Sequence, residues 1–436
     1  MRRSAQLALA ATLVTLPPIT SPALAGAWGS TQHGGRATGQ AGAFVARASD
    51  PSAVTYNPAG AAHLPGLQLQ AGLDFSNATD DYSSVSGDHS ANHTIQFPPA
   101  LYATYRPAGA ESRWAVGLGV DTPVWYSVDW DTALFPARFL TRKTELRLWQ
   151  VHPVAAYAID DRWSVGGGVR YVFGDLELGQ NVAGTLGEVP GMRPAVPWEA
   201  ELTADGSVDA ITFDLGVQYS TNVWGWGAVY RHGADLDSDD PYEVSVRDIT
   251  IPELSGVVER NLGGLQAEQS FELPREVAAG VWLAPYPELR LELDVAWASW
   301  SRSETRIVDP ERQGPVLGDV LQTRTRDWDD TLSARLGVEG DVTSRLALHG
   351  GVAWEPSPVP SDNVEPGFPR GDAVVYAVGF SYDFPQVSFD VGYSFWDHDE
   401  GRVTGQEIGG PDPAPDVLST YSADEQVWSA SARWRF

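Results

Sequence analysis

Apolar and polar residues alternate in short segments along most of this chain, from Leu67 to Phe436. In the last segment Trp428, Ala430, Ala432, Trp434 and Phe436 share one parity, and Ser429, Ser431, Arg433 and Arg435 the other. Leu289, Leu291, Leu293, Val295 and Trp297 alternate in the same way with Arg290, Glu292 and Asp294. Val387, Phe389, Val391, Tyr393 and Phe395 alternate with Ser388, Asp390, Gly392 and Ser394. Successive side chains of a strand point to opposite sides, so each segment reads as a strand with one apolar and one polar face.

The gaps between segments are short and long in strict turn. The short ones are Pro107–Ser112, Asp160–Arg162, Thr221–Asn222, Tyr286–Glu288, Gly340–Ser344 and Pro385. Between them fall Asn77–Thr94, Trp125–Thr144, Leu178–Gly206, His232–Leu273, Arg302–Arg326, Pro356–Arg370 and Asp399–Ala423. This rhythm predicts an all-β fold, a 14-stranded antiparallel transmembrane β-barrel with tight turns at one end, long loops at the other and both chain ends on the turn side. A soluble sandwich also alternates, but it has no systematic difference between its two ends. It would seldom edge its apolar faces with so many of 17 Trp and 15 Tyr, among them Trp114, Tyr157, Trp163 and Tyr219, rings that favour the lipid–water interface.

Residues 1–25 read as a signal peptide: Arg2 and Arg3, an apolar stretch from Ala5 to Leu16, and Ala23-Leu24-Ala25 before Gly26. Residues 26–65 are rich in Gly and Ala and lack alternation, which suits a plug, or hatch, rather than wall, and residues 66–436 are the expected barrel. Export with a strand pattern points to the outer membrane of a Gram-negative cell, with membrane lipid as a partner.

Charge and chemistry narrow the function. With 29 basic against 57 acidic residues and a formal charge of −28, the chain is no nucleic-acid binder. The absence of cysteine removes thiolate chemistry. Lys143 is preceded by Arg142 rather than the glycine a phosphate-binding loop needs, and Gly166-Gly167-Gly168 falls inside a strand. His89 and His93 are four apart in a loop-like stretch, where a helical metal pair has no helix. The expectation is a protein that is not an enzyme, with no cofactor and no metal.

The amino-terminal piece carries Gly34-Gly35-Arg36-Ala37-Thr38-Gly39-Gln40-Ala41-Gly42-Ala43 and Ser49-Asp50-Pro51-Ser52-Ala53-Val54-Thr55-Tyr56-Asn57-Pro58-Ala59-Gly60. This resembles the hatch of the FadL family of outer-membrane transporters, with its Asn-Pro-Ala signature. Further matches follow in family order: Arg113 to Val120 with Pro123, Pro153 to Gly168, Leu273-Pro274-Arg275, Trp297 to Ser301, and Ser357 to Pro360 with Asn363. The resemblance implies uptake of long-chain fatty acids or similar hydrophobic compounds, with Asn57, Pro58, Ala59 and Gly60 as the hatch signature. It also implies a lateral gap in the wall at the third strand, where Gly117, Gly119 and Pro123 are the candidates.

Independently of family, proline pushes Asn57 toward extended backbone, its amide can bind a neighbouring strand, and Gly60 permits a turn. Glycine and proline in a strand weaken its ladder. Apolar residues at Ile251, Leu254, Val257, Val258, Leu262 and Leu265 suit either the outer capture groove that the resemblance implies or a small core of the loop itself. The competing reading is a diffusion porin for small polar solutes, its lumen lined by Arg290, Glu292, Asp294, Arg335, Glu339, Asp390, Arg433 and Arg435.

Overall fold

The computed structural model describes residues 33–436 apart from 85–86, 93, 110–111, 131–134, 186–196, 237–241, 251–265, 268–270, 303–327, 361–363 and 404–418. The alternating segments form a closed antiparallel barrel of 14 strands. These are β1 (Gly66–Ser84), β2 (Pro99–Arg106), β3 (Trp114–Asp129), β4 (Lys143–Ala158), β5 (Trp163–Thr185), β6 (Pro197–Ser220) and β7 (Trp224–Arg231). They continue as β8 (Glu276–Tyr286), β9 (Leu289–Ala298), β10 (Thr331–Asp341), β11 (Leu346–Glu355), β12 (Ala373–Asp383), β13 (Val387–His398) and β14 (Ser419–Arg435). β14 returns to β1 in unbroken register from Gln68↔Arg435 to Ser84↔Ser419, so the wall closes on itself. A wall without an edge is what lipid demands, since no solvent is there to satisfy an unpaired strand.

One strand displays the logic of the whole wall. On the outer face of β4 run Glu145, Arg147, Trp149, Val151, Pro153, Ala155 and Tyr157. From Trp149 to Tyr157 is roughly 27 Å along a strand, which a tilt of roughly 40° reduces to about 21 Å, close to the apolar band of an outer-membrane barrel. On the inner face lie Leu146, Leu148, Gln150, His152, Val154, Ala156 and Ala158, all buried. The other outward parities carry exposed Leu73, Leu118, Leu215, Leu293, Val378 and Trp428, as the alternation predicts.

The strands run further than the alternation suggests. β1 continues to Ser84 through the expected loop Asn77–Thr94, and β5 and β6 remain paired up to Thr185↔Pro197, through much of the expected loop Leu178–Gly206. The cause is an inversion of faces. Beyond the lipid band Asp175 points outward to water while Val172 and Leu176 turn into a buried cluster. The period of two persists, but its sense reverses, so the segment no longer reads as membrane wall.

Inside the barrel lie residues 33–65. They form two single-turn helices, α1 (Gly35–Thr38) and α2 (Ala53–Tyr56), and a 3-10 turn, Pro58–His63. Ala41, Ala43, Phe44, Ala46, Ala53, Val54 and Ala59 have no exposed surface. The alanines among them let the backbone press against the wall, and the wall answers with glycine. A Cβ on Gly351 would sit 2.3 Å from the Gln40 carbonyl carbon, and one on Gly392 2.3 Å from the Gly35 oxygen.

Candidate functional site

The turn at Asn57 is fastened in three directions. Its backbone is extended (φ −160°, ψ 103°), as the following proline requires. Nδ2 donates to the carbonyl of Val45 (3.0 Å) and to that of Val217 on β6 (3.2 Å), while Oδ1 accepts from the Ala59 amide (3.2 Å). Donor and acceptor are both used, which no residue with a single function could do. Three wall glycines form the cradle. Added Cβ atoms on Gly216, Gly227 and Gly166 would lie 2.2 Å from Asn57 Oδ1, 2.7 Å from the Val45 oxygen and 2.6 Å from the Ala59 nitrogen. Gly166, read in the sequence only as a strand residue, thus has a packing reason. Gly60 serves close approach: a Cβ there would be 2.3 Å from the Ala48 oxygen.

A second set of fastenings was not legible as such. Glu339 on β10 accepts both Nε and Nη2 of Arg36 (2.8 and 2.9 Å), Nη2 of Arg47 (3.2 Å) and Nη1 of Arg290 (2.7 Å). On β9, one oxygen of Asp294 accepts the amides of Phe44 and Val45 (2.8 and 2.9 Å), and Glu292 those of Ala46 and Arg47 (2.8 and 3.1 Å). The porin reading gave these carboxylates to water. Instead they satisfy consecutive backbone donors of the inner segment, whose burial would otherwise be costly.

At the third strand the wall is irregular. Gly117 and Gly119 remain paired on both sides, with Thr104 and Val154 and with Tyr102 and His152. They face inward, where added Cβ atoms would lie 2.8 and 3.0 Å from Val54 of the inner segment. The irregularity lies just beyond. The ladder to β2 covers five positions and ends at Leu101↔Val120, and the register to β4 slips between Asp121 and Val124, around Pro123. The slip exchanges inner and outer parity, so Asp121 and then Val124, Tyr126 and Val128 all point inward. Beyond Leu101↔Val120 the next backbone contact on this side, among the described residues, is the hydrogen bond from Asn92 to Asp129 (2.7 Å), so the β2–β3 ladder ends at the slip.

Behind this stretch stands a polar knot. Asp121 accepts from Thr55 (2.6 Å), Tyr102 (2.8 Å) and Gln150, and Arg170 donates to Gln150 (2.8 Å). His33 of the inner segment spans from Asp74 on β1 (Nδ1, 2.8 Å) to the Thr122 carbonyl in the slip itself (Nε2, 2.9 Å). Both partners are acceptors, so both ring nitrogens must carry protons. Burial lowers the imidazole pKa, but the hydrogen bond and charge of Asp74, with help from Asp121 and the Thr122 carbonyl, outweigh it and raise the value to about 9.

Above the slip the interior changes character. Val124, Tyr126, Val128, Leu146, Leu148, Val172 and Leu176 of the wall pack with Trp130, Phe135, Trp328, Val364 and Phe368 from the outer loops into one buried cluster. Trp130 stacks on Phe135 (4.6 Å) and Tyr126 on Phe368 (5.5 Å). His89 lies against the rings of Tyr82 and Phe135, while its supposed metal partner His93 falls outside the described residues. The expected capture groove from Ile251 to Leu265 is also outside them.

A family model described as outer membrane protein transport protein (OMPP1/FadL/TodX) matches residues 18–436. Long-chain fatty acid transport proteins of Escherichia coli strains CFT073 and K12 are 23% and 24% identical over 66% and 58% of this chain. The matches span 65% and 60% of those curated relatives' own length. Among solved structures, a Pseudomonas aeruginosa FadL homologue superposes with a TM-score of 0.77 at 18% identity, over 95% of this chain and all of the other. The Pseudomonas putida toluene transporter TodX does so with 0.67 at 15% identity, over 93% and 99%.

Proposed function

This chain belongs to the OMPP1/FadL/TodX family of outer membrane transport proteins, and from that premise we propose that it admits hydrophobic compounds, long-chain fatty acids or similar solutes, without chemical conversion. Residues 1–25 are the export signal, 26–65 the hatch and 66–436 the barrel. The observation that carries the route is the slip in β3, just beyond the end of its ladder to β2 at Leu101↔Val120 and beside an apolar interior. A solute caught among the outer loops enters the aromatic cluster, gaining about 0.8 kcal/mol per buried methylene. The hatch, held at Asn57, Pro58, Ala59 and Gly60, blocks the straight way down. Exit is lateral, through the wall between β2 and β3, into membrane lipid. Pro123 keeps the slip open, and Gly117 and Gly119 let the hatch lie close beneath it.

The register suggests its own test. Deleting Pro123 removes the extra residue, restores continuous pairing to β4 and leaves both inner faces in phase. In a host lacking its own transporters of this kind, uptake of labelled oleate, oleyl alcohol and toluene is measured for the parent and for this variant. The expected result is uptake of at least one compound by the parent and loss of roughly nine-tenths of it in the variant, with surface expression and heat-modifiable migration in gels unchanged. Undiminished uptake in the folded variant rejects the lateral route. Large, steady single-channel conductance of the parent would favour the porin, against a lumen filled by residues 33–65 and the aromatic cluster.

A further inference from the structure

We infer that the apolar interior above the hatch selects uncharged hydrophobic compounds over carboxylates, an inference that rests on the transport reading and narrows its substrate class. The observation is Arg370. Its guanidinium is buried, 5.2 Å from the centre of the Tyr126 ring. Nε and Nη2 donate in a fork to both oxygens of Asp80 on β1 (2.9 and 3.1 Å), and Nη1 donates to Glu425 on β14 (3.2 Å). The second oxygen of Glu425 accepts from Ser76 (2.7 Å).

One guanidinium therefore stands between two buried carboxylates, and the group carries a formal charge of −1. Its neighbours along the chain, Tyr82, Phe368 and Tyr421, belong to the apolar cluster, so this charge borders the space a solute must enter. A buried carboxylate is tolerated only when an unclaimed cation and hydrogen-bond donors receive it. Here the cation is already held by a bidentate fork, and the excess charge has the sign of the newcomer. Arg138, Arg142 and Lys143 around the upper interior are held likewise, by Glu199 (2.6 Å), Glu201 (2.5 Å) and Glu177 (2.5 Å), while Arg170, lower down in the polar knot, donates to Gln150 (2.8 Å). An alcohol, ester or hydrocarbon of the same length gains the same apolar burial and meets no repulsion.

The experiment compares oleyl alcohol with oleate, matched in chain and different in charge. Fluorescence of the full-length mature protein, with Trp130, Trp300 and Trp328 in the cluster, is titrated with each at pH 8, and empty micelles supply the partition correction. The expected result is at least about tenfold tighter binding of the alcohol. In Glu425→Gln, which removes the excess negative charge, that preference should shrink to within about threefold. Asp80→Asn makes the same neutralisation from the other strand should Glu425→Gln fail to fold. Equal or tighter binding of oleate by the parent overturns the inference, as does an unchanged preference in a folded neutralised variant. Binding of neither compound overturns the transport reading with it.

Discussion

The lower and upper halves of the barrel interior are lined by the same strands yet follow opposite rules. Below the slip in β3, inward positions carry Asp294, Glu292, Glu339 and Asp390, and residues 33–65 cover them. Above it, inward positions carry Val124, Tyr126, Leu146 and Leu176, and the outer loops cover those. The lower half is held by directed bonds, in which buried carboxylates receive the amides and guanidiniums of the inner segment. The upper half has an apolar centre, whose contacts are non-directional and survive rearrangement, with ion pairs such as Arg370 with Asp80 and Glu425 at its margin. A gate needs the first kind of packing, because it must have one closed position. A path for apolar solutes needs the second, because its walls must yield to shapes they were not built around.

The comparison breaks most sharply at Glu339, where one buried carboxylate receives Arg36, Arg47 and Arg290. Glu339→Gln takes from Arg36 the carboxylate that holds it, while Arg290 keeps Asp341 and Arg47 keeps Glu292 at 3.5 Å, and losing one partner of a buried ion pair costs about 3–5 kcal/mol. The cost should fall mainly on residues 35–47, where Arg36 and Arg47 sit. Amide exchange over residues 35–47 is expected to accelerate by roughly two orders of magnitude or more, while the barrel keeps its heat-modifiable migration and the upper aromatic cluster its fluorescence. Equal acceleration in both halves would show that they are one cooperative unit.

Proton linkage at His33 should give the next largest effect. Its pKa, raised from 6.5 to about 9 in the folded state, means that the bridge from Asp74 to Thr122 adds stability fully present below about pH 6.5 and lost as pH rises through about 9. The loss is on the order of 3 kcal/mol, again mainly in the inner segment. Exchange at residues beside His33, measured between pH 6 and 10 and corrected for intrinsic rates, should rise through that window in the parent. It should be flat in His33→Gln.

These two sites mark what a sequence can and cannot disclose. The wall was legible because a strand in lipid obeys a local rule of period two, and Trp428 to Phe436 follow it without exception. The extensions beyond Asn77 and Leu178 were not, because there water replaces lipid outside and apolar loops replace residues 33–65 inside, so the same alternation changes sign. Asn57 was legible from its own neighbour, Pro58. Glu292 and Asp294 were misread as water-lined because the amides they receive lie about 250 positions away along the chain. Gly117 and Gly119 revealed a special place on β3, but their contact with Val54 is tertiary, and no local pattern announces it.

Asn57→Ala probes the smallest of the differences and the most specific. The side chain makes three hydrogen bonds, two of them to carbonyls and one to an amide that has no other recorded partner among the described residues. Carbonyls tolerate a lost bond better than amides do. The cost should therefore be dominated by Ala59, at about 1–3 kcal/mol, below that at Glu339, where charge is at stake. Exchange over residues 45–60 should rise by roughly one order of magnitude, with little change at Gly35–Thr38 on the far side of the hatch. Asn57→Asp keeps the acceptor for Ala59 and loses both donations. If it behaves like Asn57→Ala, the turn is held by its donations to Val45 of the inner segment and Val217 of the wall; if it behaves like the parent, the turn is held by its own Ala59 bond, and the cradle of Gly166, Gly216 and Gly227 serves shape alone.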